Sequence, residues 1–379
     1  MGPEPTTLDA MLENMDELRG PVRKLMERFG PDYWRKVDDE RAFPQELFDA
    51  FGEAGYFATL IPEAYGGQDA GPRAASVVVE EINRAGGDAA VINAQMTICG
   101  TLVRDGSHEQ KQRYLPDIAS GKLRCLSVAA TEPDSGADMT TLESRSRQDG
   151  DEWVIDARKV LISMAEHTEL LFLLTQSDAG PTLFLLDMRE LGEQFQIHPI
   201  DLVTNRMTTT LFVDGLRVGA DTLIGEPGKG LACLMKGFAP RRILAAAEAL
   251  GHARFMLDRS LEHAKERETY GRPIGQNQGV QYPLTHAFTK VEAADLMRWE
   301  ALRQLEAGED AGGRSAMAKV LASEAAWETA RAALTAFGGW GLSGDYHIER
   351  KLRESTVFVF NNLLLSYIAQ RVLELPKAF

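Results

Sequence analysis

The spacing of apolar residues divides the chain into a helical part, a β-rich part and a second helical part. In the first part, up to about residue 122, apolar residues recur every three or four positions, which indicates amphipathic helices. We expect these helices over 8–18, 44–54 and 75–84. A charged helix is expected over 108–115, ending near Pro116.

The middle part, from about residue 123 to 227, changes to short β-rich runs. Trp153, Ile155 and Ala157 alternate with polar neighbours, and further runs cover 170–175, 182–186 and 209–213. Turn signals such as Asp-Gly pairs separate these runs, which is typical of a sandwich or small barrel. Strands do not alternate with helices here, which argues against a Rossmann fold.

The last part is helical again and predicts a bundle. Long helices are expected over 242–267, 281–307, 316–337 and about 361–373, joined by short loops. The pattern therefore predicts an α+β multidomain protein. Its domains are an N-terminal α-helical domain (1–122), a middle β-barrel (123–228) and a C-terminal four-helix bundle (229–379).

Composition narrows the classes of function. The 379 residues carry 41 Lys and Arg against 56 Asp and Glu, a net charge of −15, which argues against nucleic acid as a partner. The three cysteines lie far apart, so no disulfide framework is expected and a reduced, cytoplasmic location fits. Neither a signal peptide nor an apolar run of membrane-spanning length is recognisable. The histidines are scattered without ligand spacing, so we expect no metal site.

Three segments combine glycines with polar side chains that suit ligand binding. The segment 131–138 follows an apolar strand and presents hydroxyls and carboxylates, and 267–278 pairs arginines with glycines and a glutamine. The third, 337–341, has three glycines that allow a phosphate to approach the backbone closely. Each segment also suits an ordinary turn, and composition alone leaves both readings open.

Taken together and in order, these segments resemble the acyl-CoA dehydrogenase family of flavoproteins. The motifs that carry the resemblance span 61–67, 131–138, 159–163, 225–230, 267–278, 337–341 and 349–353. It implies a helical domain, a β-barrel and a four-helix bundle, with FAD held between barrel and bundle. It also implies α,β-desaturation of an acyl-CoA or acyl-carrier thioester, with hydride transfer to flavin N5. A homodimer or homotetramer, fatty acid metabolism and an electron-transfer flavoprotein as acceptor would follow.

The resemblance assigns site residues by position. Those matching FAD positions are Thr131 and Ser163 at the flavin ring, Arg267 and Gln278 reaching from a neighbouring subunit, and Gly338 and Gly339 at the pyrophosphate. Arg242 matches an arginine near the acyl-CoA site. Three positions depart from the family pattern: Ala137 replaces a serine, Leu161 replaces a bulky aromatic, and Thr335 replaces a glutamine.

The family's catalytic base is missing from both of its usual positions. These positions hold Arg241 and Asn362, and neither side chain accepts a proton at neutral pH. Another carboxylate, Glu248 or Glu354, is one explanation. The others are a non-catalytic subunit of a hetero-oligomer, an elimination or desulfinase-like reaction that needs no such base, and a ligand-binding or inactive member. The sequence leaves these alternatives open.

Overall fold

The computed structural model describes residues 15–136, 138–139 and 141–376. Part of the expected helix over 8–18, and Ala137, lie outside the described residues. The contacts separate the described chain into two compact units. The helical unit takes residues 15–40, 72–89 and 239–376, and the mixed unit takes 41–71 and 90–238. The domain boundaries expected from the sequence stay a prediction.

The α-helices of the described residues account for about half of the chain. In chain order they are α1 (Met15–Met26), α2 (Pro31–Asp39), α3 (Gln45–Glu53), α4 (Gly71–Arg84), α5 (Ala90–Ile98), α6 (Gly100–Asp105), α7 (His108–Ala119), α8 (Gly230–Lys236), α9 (Phe238–Glu266), α10 (Gln278–Glu306), α11 (Gly312–Phe337), α12 (Ile348–Ser355) and α13 (Asn362–Arg371). The bundle helices expected in the last part are α9, α10, α11 and α13. Helix α7 does not end near Pro116 but continues to Ala119, because a proline in the last turn removes only one intrahelical hydrogen bond.

The core of the helical unit is built from small side chains. Buried alanines line the facing sides of the three long helices, among them Ala249, Ala253, Ala318 and Ala322. Small residues let helix backbones approach closely, and a few large residues such as Leu284 fill the remaining space. Helix α13 packs its Leu364 into a separate small cluster against α11. A long, tightly packed scaffold therefore carries the residues at the helix ends.

Helix α4 is held to the bundle by a buried charge cluster. The Glu80 carboxylate lies 2.9 Å from the Arg298 guanidinium of α10 and also pairs with Arg254 of α9. Burial alone would raise the pKa of Glu80, but the guanidiniums of Arg298 and Arg254 hold it well below its ordinary value. Breaking such a pair leaves an uncompensated buried charge, so the cluster fixes how α4 packs.

The mixed unit contains a seven-stranded sheet. Its strands are β1 (Ser127–Ala129), β2 (Arg145–Asp149), β3 (Glu152–Ser163), β4 (Leu170–Ser177), β5 (Gly180–Asp187), β6 (Phe195–Pro199) and β7 (Thr208–Gly219). They pair in the order β1-β4-β2-β3-β7-β6, with β5 beside β4. The expected middle barrel takes the form of this one sheet. Strands β8 (Glu268–Thr269) and β9 (Arg272–Pro273) form a separate small hairpin in the helical unit.

Candidate functional site

Strand β3 carries an irregularity beside its C-terminal end. Its register against β7 shifts between Lys159 and Ile162, and Leu161 there adopts a left-handed backbone with φ 58°. A leucine rarely takes this conformation, and the bulge leaves its side chain 60% exposed. Ser163, two residues later, is also exposed, and its hydroxyl has no partner among the described residues. The bulge thus presents an apolar side chain and a free hydroxyl near the C-terminal end of β3.

Thr131 lies beside the same stretch of β3. Its hydroxyl donates a hydrogen bond of 2.6 Å to the Val160 carbonyl, and the Val160 N–H donates 3.0 Å to the Thr131 carbonyl. The hydroxyl hydrogen is therefore already used. The Thr131 N–H has no acceptor in the described part of the chain, so the backbone, and not the side chain, is the donor that a ligand would meet.

A buried ion pair holds Thr131 and the bulge in place. The Lys159 ammonium lies 2.6 Å from the Glu132 carboxylate and also donates to the Ala130 carbonyl at 3.1 Å. Glu132 in turn accepts the backbone N–H groups of Glu143 and Ser144. Burial lowers the pKa of Lys159 to about 8, although Glu132 raises it in part. The pair joins the loop after β1 to β3, so it fixes both potential ligand contacts.

A second group of exposed polar residues lies at one end of the helical unit. Arg267 directly follows α9, is exposed, and its guanidinium has no hydrogen-bond partner among the described residues. The His263 ring, one turn earlier, stacks on Phe337 at 4.1 Å, which places the end of α9 beside the end of α11. Gly338 follows Phe337 with φ 59°, a left-handed conformation that favours glycine. Arg267 and the exposed Gly338–Gly339 backbone therefore form one cradle.

Two more residues extend this cradle. Gln278 opens α10 and is exposed. Tyr270, at the tip of the β8–β9 hairpin, has a left-handed backbone with φ 52° and a fully exposed ring. A free guanidinium, open glycine backbone and an unpacked aromatic ring are the donors and stacking surface that a nucleotide diphosphate needs.

Arg242 lies inside the helical unit. The guanidinium stacks over the Tyr367 ring at 4.5 Å, and its Nη1 donates to the Gly312 carbonyl at 3.4 Å. Burial lowers its pKa, and Tyr367 partly offsets this effect. The structure therefore places Arg242 against α11 and α13 as a buried cation.

A strip on one face of α9, close to Arg242, runs from an exposed residue to a buried one. Arg241 is exposed, Ala245 is half-buried, and Glu248 is buried; the residues between them are buried throughout. Positions four and seven residues apart lie on one face of an α-helix, so these three side chains share a face. The strip therefore extends over two helical turns, from the Arg241 guanidinium to the Glu248 carboxylate.

The start of α13 is attached to α11 at the far end of this strip. Lys319 of α11 donates to the Asn361 side-chain oxygen at 2.7 Å and to the Phe358 carbonyl at 3.0 Å. Burial lowers the pKa of Lys319 to about 8, while the charge of Glu248 raises it in part. Asn362, the first residue of α13, is exposed next to this contact. The structure thus places Lys319 near Glu248 and in contact with the turn that leads to Asn362.

Glu354 is unsuited to be the base. Its carboxylate is buried and forms ion pairs with Arg350 and, at 2.8 Å, with Lys351. Burial raises its pKa, but these two cations hold it well below its ordinary value. A carboxylate held so firmly in its ionised form is a weak proton acceptor.

Sequence reasoning missed several of these residues. Lys319 is the one cation in the alanine-rich run 315–326, and that was the available signal. Glu132 and Lys159 lie in recognised motifs, but their pairing joins the loop after β1 to β3, which only the fold brings together. Thr335, in the last turn of α11, is exposed and donates its hydroxyl to the Arg331 carbonyl.

The residues present fit FAD. Free polar groups occur where the resemblance places the flavin ring, at Ser163 and the Thr131 N–H, and where it places the pyrophosphate, at Arg267 and Gly338. Within the described ranges no group of three His, Cys, Asp or Glu residues is arranged to hold a metal. In that same part of the chain, no helix is long and apolar enough to cross a membrane.

Comparisons with known proteins agree with this arrangement. Three family models match: the N-terminal domain of acyl-CoA dehydrogenase over residues 13–122, the middle domain over 127–213 and the C-terminal domain over 228–361. The acyl-CoA dehydrogenase FadE12 of Mycobacterium tuberculosis is 30% identical, covering 97% of this chain and 98% of that protein. A 3-(aryl)acrylate reductase of Clostridium sporogenes is 32% identical over 89% of this chain and 92% of its own. Among solved structures, a glutaryl-coenzyme A dehydrogenase in complex with glutaryl-CoA matches with a TM-score of 0.89 and 28% identity, covering 97% of this chain and 96% of that one.

Proposed function

Since this chain belongs to the acyl-CoA dehydrogenase family, we propose that it oxidises the Cα–Cβ bond of an acyl thioester. The family consists of flavin oxidoreductases, and FAD is the cofactor. When bound, FAD supplies a hydride acceptor at N5. The observation that carries the proposal is the cradle at the end of α9, where a free guanidinium adjoins open glycine backbone. A guanidinium without a protein counter-ion suits a diphosphate.

The groups near the C-terminal end of β3 in the mixed unit would orient the flavin ring. We assign the Ser163 hydroxyl and the Thr131 N–H as hydrogen-bond donors, because both lack a partner in the described ranges. The exposed Leu161 side chain would offer apolar surface to the ring. The buried Glu132–Lys159 pair keeps these groups in register with one another.

Glu248 is the side chain we assign as proton acceptor. It lies at the buried end of the strip on α9, and the ammonium of Lys319 provides a nearby positive charge. A base must be within hydrogen-bond reach of the proton that it removes, and Glu248 is the carboxylate that the strip leads to. Arg242, buried against Tyr367, shapes the same end of the bundle.

We infer that the enzyme is a homodimer or homotetramer in the cytoplasm. Arg267, Gln278 and Tyr270 all project from one end of the helical unit without packing partners, which supports a contact with a second copy. The substrate carrier is CoA or an acyl carrier protein. An electron-transfer flavoprotein or a similar acceptor would take the electrons.

Anaerobic titration of the purified protein tests this function. We expect a yellow protein whose flavin absorbance near 450 nm bleaches with at least one member of a panel of acyl-CoAs. A colourless protein that takes up no FAD would contradict the cofactor assignment. A flavoprotein that binds acyl-CoAs but bleaches with none, alone or after addition of a paralogue, would instead indicate a non-redox member.

A further inference from the structure

Arg241, at the exposed end of the strip on α9, is a cation without a counter-ion among the described residues. Its side chain is exposed, and it forms no hydrogen bond or ion pair with the part of the chain that the structure describes. Surrounding protein nevertheless lowers its pKa, because the side chain has lost much of its water. The guanidinium is therefore open to a ligand and is not engaged by another group of the described chain.

Two further cations lie on or against the same part of α9. Arg242 follows Arg241 directly, and Lys319 faces the other end of the strip, where Glu248 is the carboxylate that opposes it. Because Arg241 has no counter-ion in the described part of the chain, an incoming anionic group would pair with it through charge-assisted hydrogen bonds. This holds even though the net charge of the whole chain is −15.

The spacing along α9 defines where that group would lie. Arg241 and Glu248 are seven residues apart, about 10 Å along the helix axis. The half-buried Ala245 between them leaves room over the strip for an acyl chain. A ligand with its reacting carbon at Glu248 would therefore extend toward the guanidinium.

We propose that Arg241 binds an anionic group, such as a carboxylate, on the acyl part of the thioester substrate. This inference rests on the proposed function and names its substrate class: monothioesters of short dicarboxylic acids or acyl chains with a comparable anion. Arg241 is then a specificity-determining residue. A carboxylate there would form charge-assisted hydrogen bonds to the planar guanidinium, which a neutral acyl chain does not form.

Calorimetric titration of the holoenzyme with matched thioesters tests the proposal. The probes are glutaryl-CoA against pentanoyl-CoA and succinyl-CoA against butyryl-CoA, with free CoA as reference. In the unaltered protein we expect each carboxylate ligand to bind at least about 10-fold more tightly than its neutral partner. Arg241→Gln should abolish this preference, Arg241→Lys should keep part of it, and Arg28→Gln, at an exposed arginine after α1, should leave it unchanged.

Three outcomes are distinguishable. Equal affinity for carboxylate and neutral ligands in the unaltered protein overturns the proposal while leaving the function intact. An equal loss for free CoA and all acyl-CoAs in Arg241→Gln also overturns it, because Arg241 would then bind a carrier phosphate. Failure of every thioester to bind, in protein that holds FAD, contradicts the proposed function itself.

Discussion

The Nζ atom of Lys319 lies 2.7 Å from the side-chain oxygen of Asn361, and this contact fixes the start of the last helix. The same ammonium donates to the Phe358 carbonyl, so one side chain joins α11 to both ends of the turn before α13. Asn362 follows at once. The contact therefore holds the turn that leads into Asn362, the position at which the sequence resemblance predicts the family's carboxylate.

Replacing Lys319 by methionine should change how stability depends on pH. Burial lowers the pKa of Lys319 from 10.5 to about 8, so between these values the unfolded chain holds the proton that the folded protein has released. Unfolding then takes up a proton, and the free energy of unfolding rises with pH. We expect the stability of the unaltered protein relative to Lys319→Met to rise by up to about 3 kcal/mol between pH 8 and 10.5. Denaturant unfolding at several pH values measures this difference, and a difference that stays constant would contradict the assignment.

Glu248→Gln tests the proton acceptor. The amide cannot take a proton, so we expect flavin reduction by the best acyl-CoA to slow by at least about 1,000-fold, with unchanged FAD content. Stopped-flow absorbance measures the reduction rate. Glu354→Gln is the matched control: it should lower stability by about 3 kcal/mol, because Arg350 and Lys351 lose their buried counter-ion. Glu248→Gln protein that reduces flavin at the original rate would exclude Glu248.

The order of elements was predictable from the sequence because it depends on local signals. Alternation marked β3, short β-rich runs marked β4, β5 and β7, and long helical segments marked the last part. FAD was predicted from the family resemblance that the ordered motifs carry. The family match and the helical, sheet and helical domains confirm these expectations. The individual site residues stay predictions.

Other features of the site depend on contacts between residues distant in sequence. Thr131 was expected to lie at the flavin ring, and its hydroxyl donates instead to the carbonyl of Val160, 29 positions later. Lys319 can donate to the Phe358 carbonyl only because α11 packs against the turn before α13. Residue spacing in the sequence does not predict such pairs, because the packing of the folded chain determines which side chains meet. The left-handed Leu161 likewise follows from a shift in the pairing of β3 with β7.

Lys159→Met should destabilise the protein and weaken FAD binding together. Glu132 would keep its backbone donors but lose the cation that balances its charge, which costs about 3 kcal/mol. Adding Glu132→Gln should restore part of that loss, because no unpaired charge is then buried. Thermal unfolding and FAD dissociation measure the two effects. Lys265→Met, at an exposed lysine of α9, is the control, and a Lys159→Met protein as stable as this control would show that the pair contributes little.

Arg267→Ala should reduce FAD retention. The guanidinium has no partner in the described chain, so its removal leaves the fold intact and removes one charge from the diphosphate cradle. We expect FAD to bind about 10-fold or more weakly, as measured by the flavin fraction kept after dialysis. Arg272→Ala, on the same hairpin, is the control because Arg272 donates to the Asn277 side chain. Equal flavin content in both variants would remove Arg267 from the cradle.

The left-handed Leu161 predicts an inverted order of stability between two small substitutions. At most positions glycine is less stable than alanine by about 0.5–1 kcal/mol. At φ 58° the alanine Cβ is itself strained, so we expect Leu161→Gly to be more stable than Leu161→Ala by about 1 kcal/mol in the FAD-free protein. Both variants lose the exposed apolar side chain, so their flavin absorbance should shift equally from that of the unaltered holoenzyme. Denaturant unfolding and flavin spectra provide the two readouts. An alanine variant more stable than the glycine variant would show that the backbone at 161 relaxes once the leucine is removed.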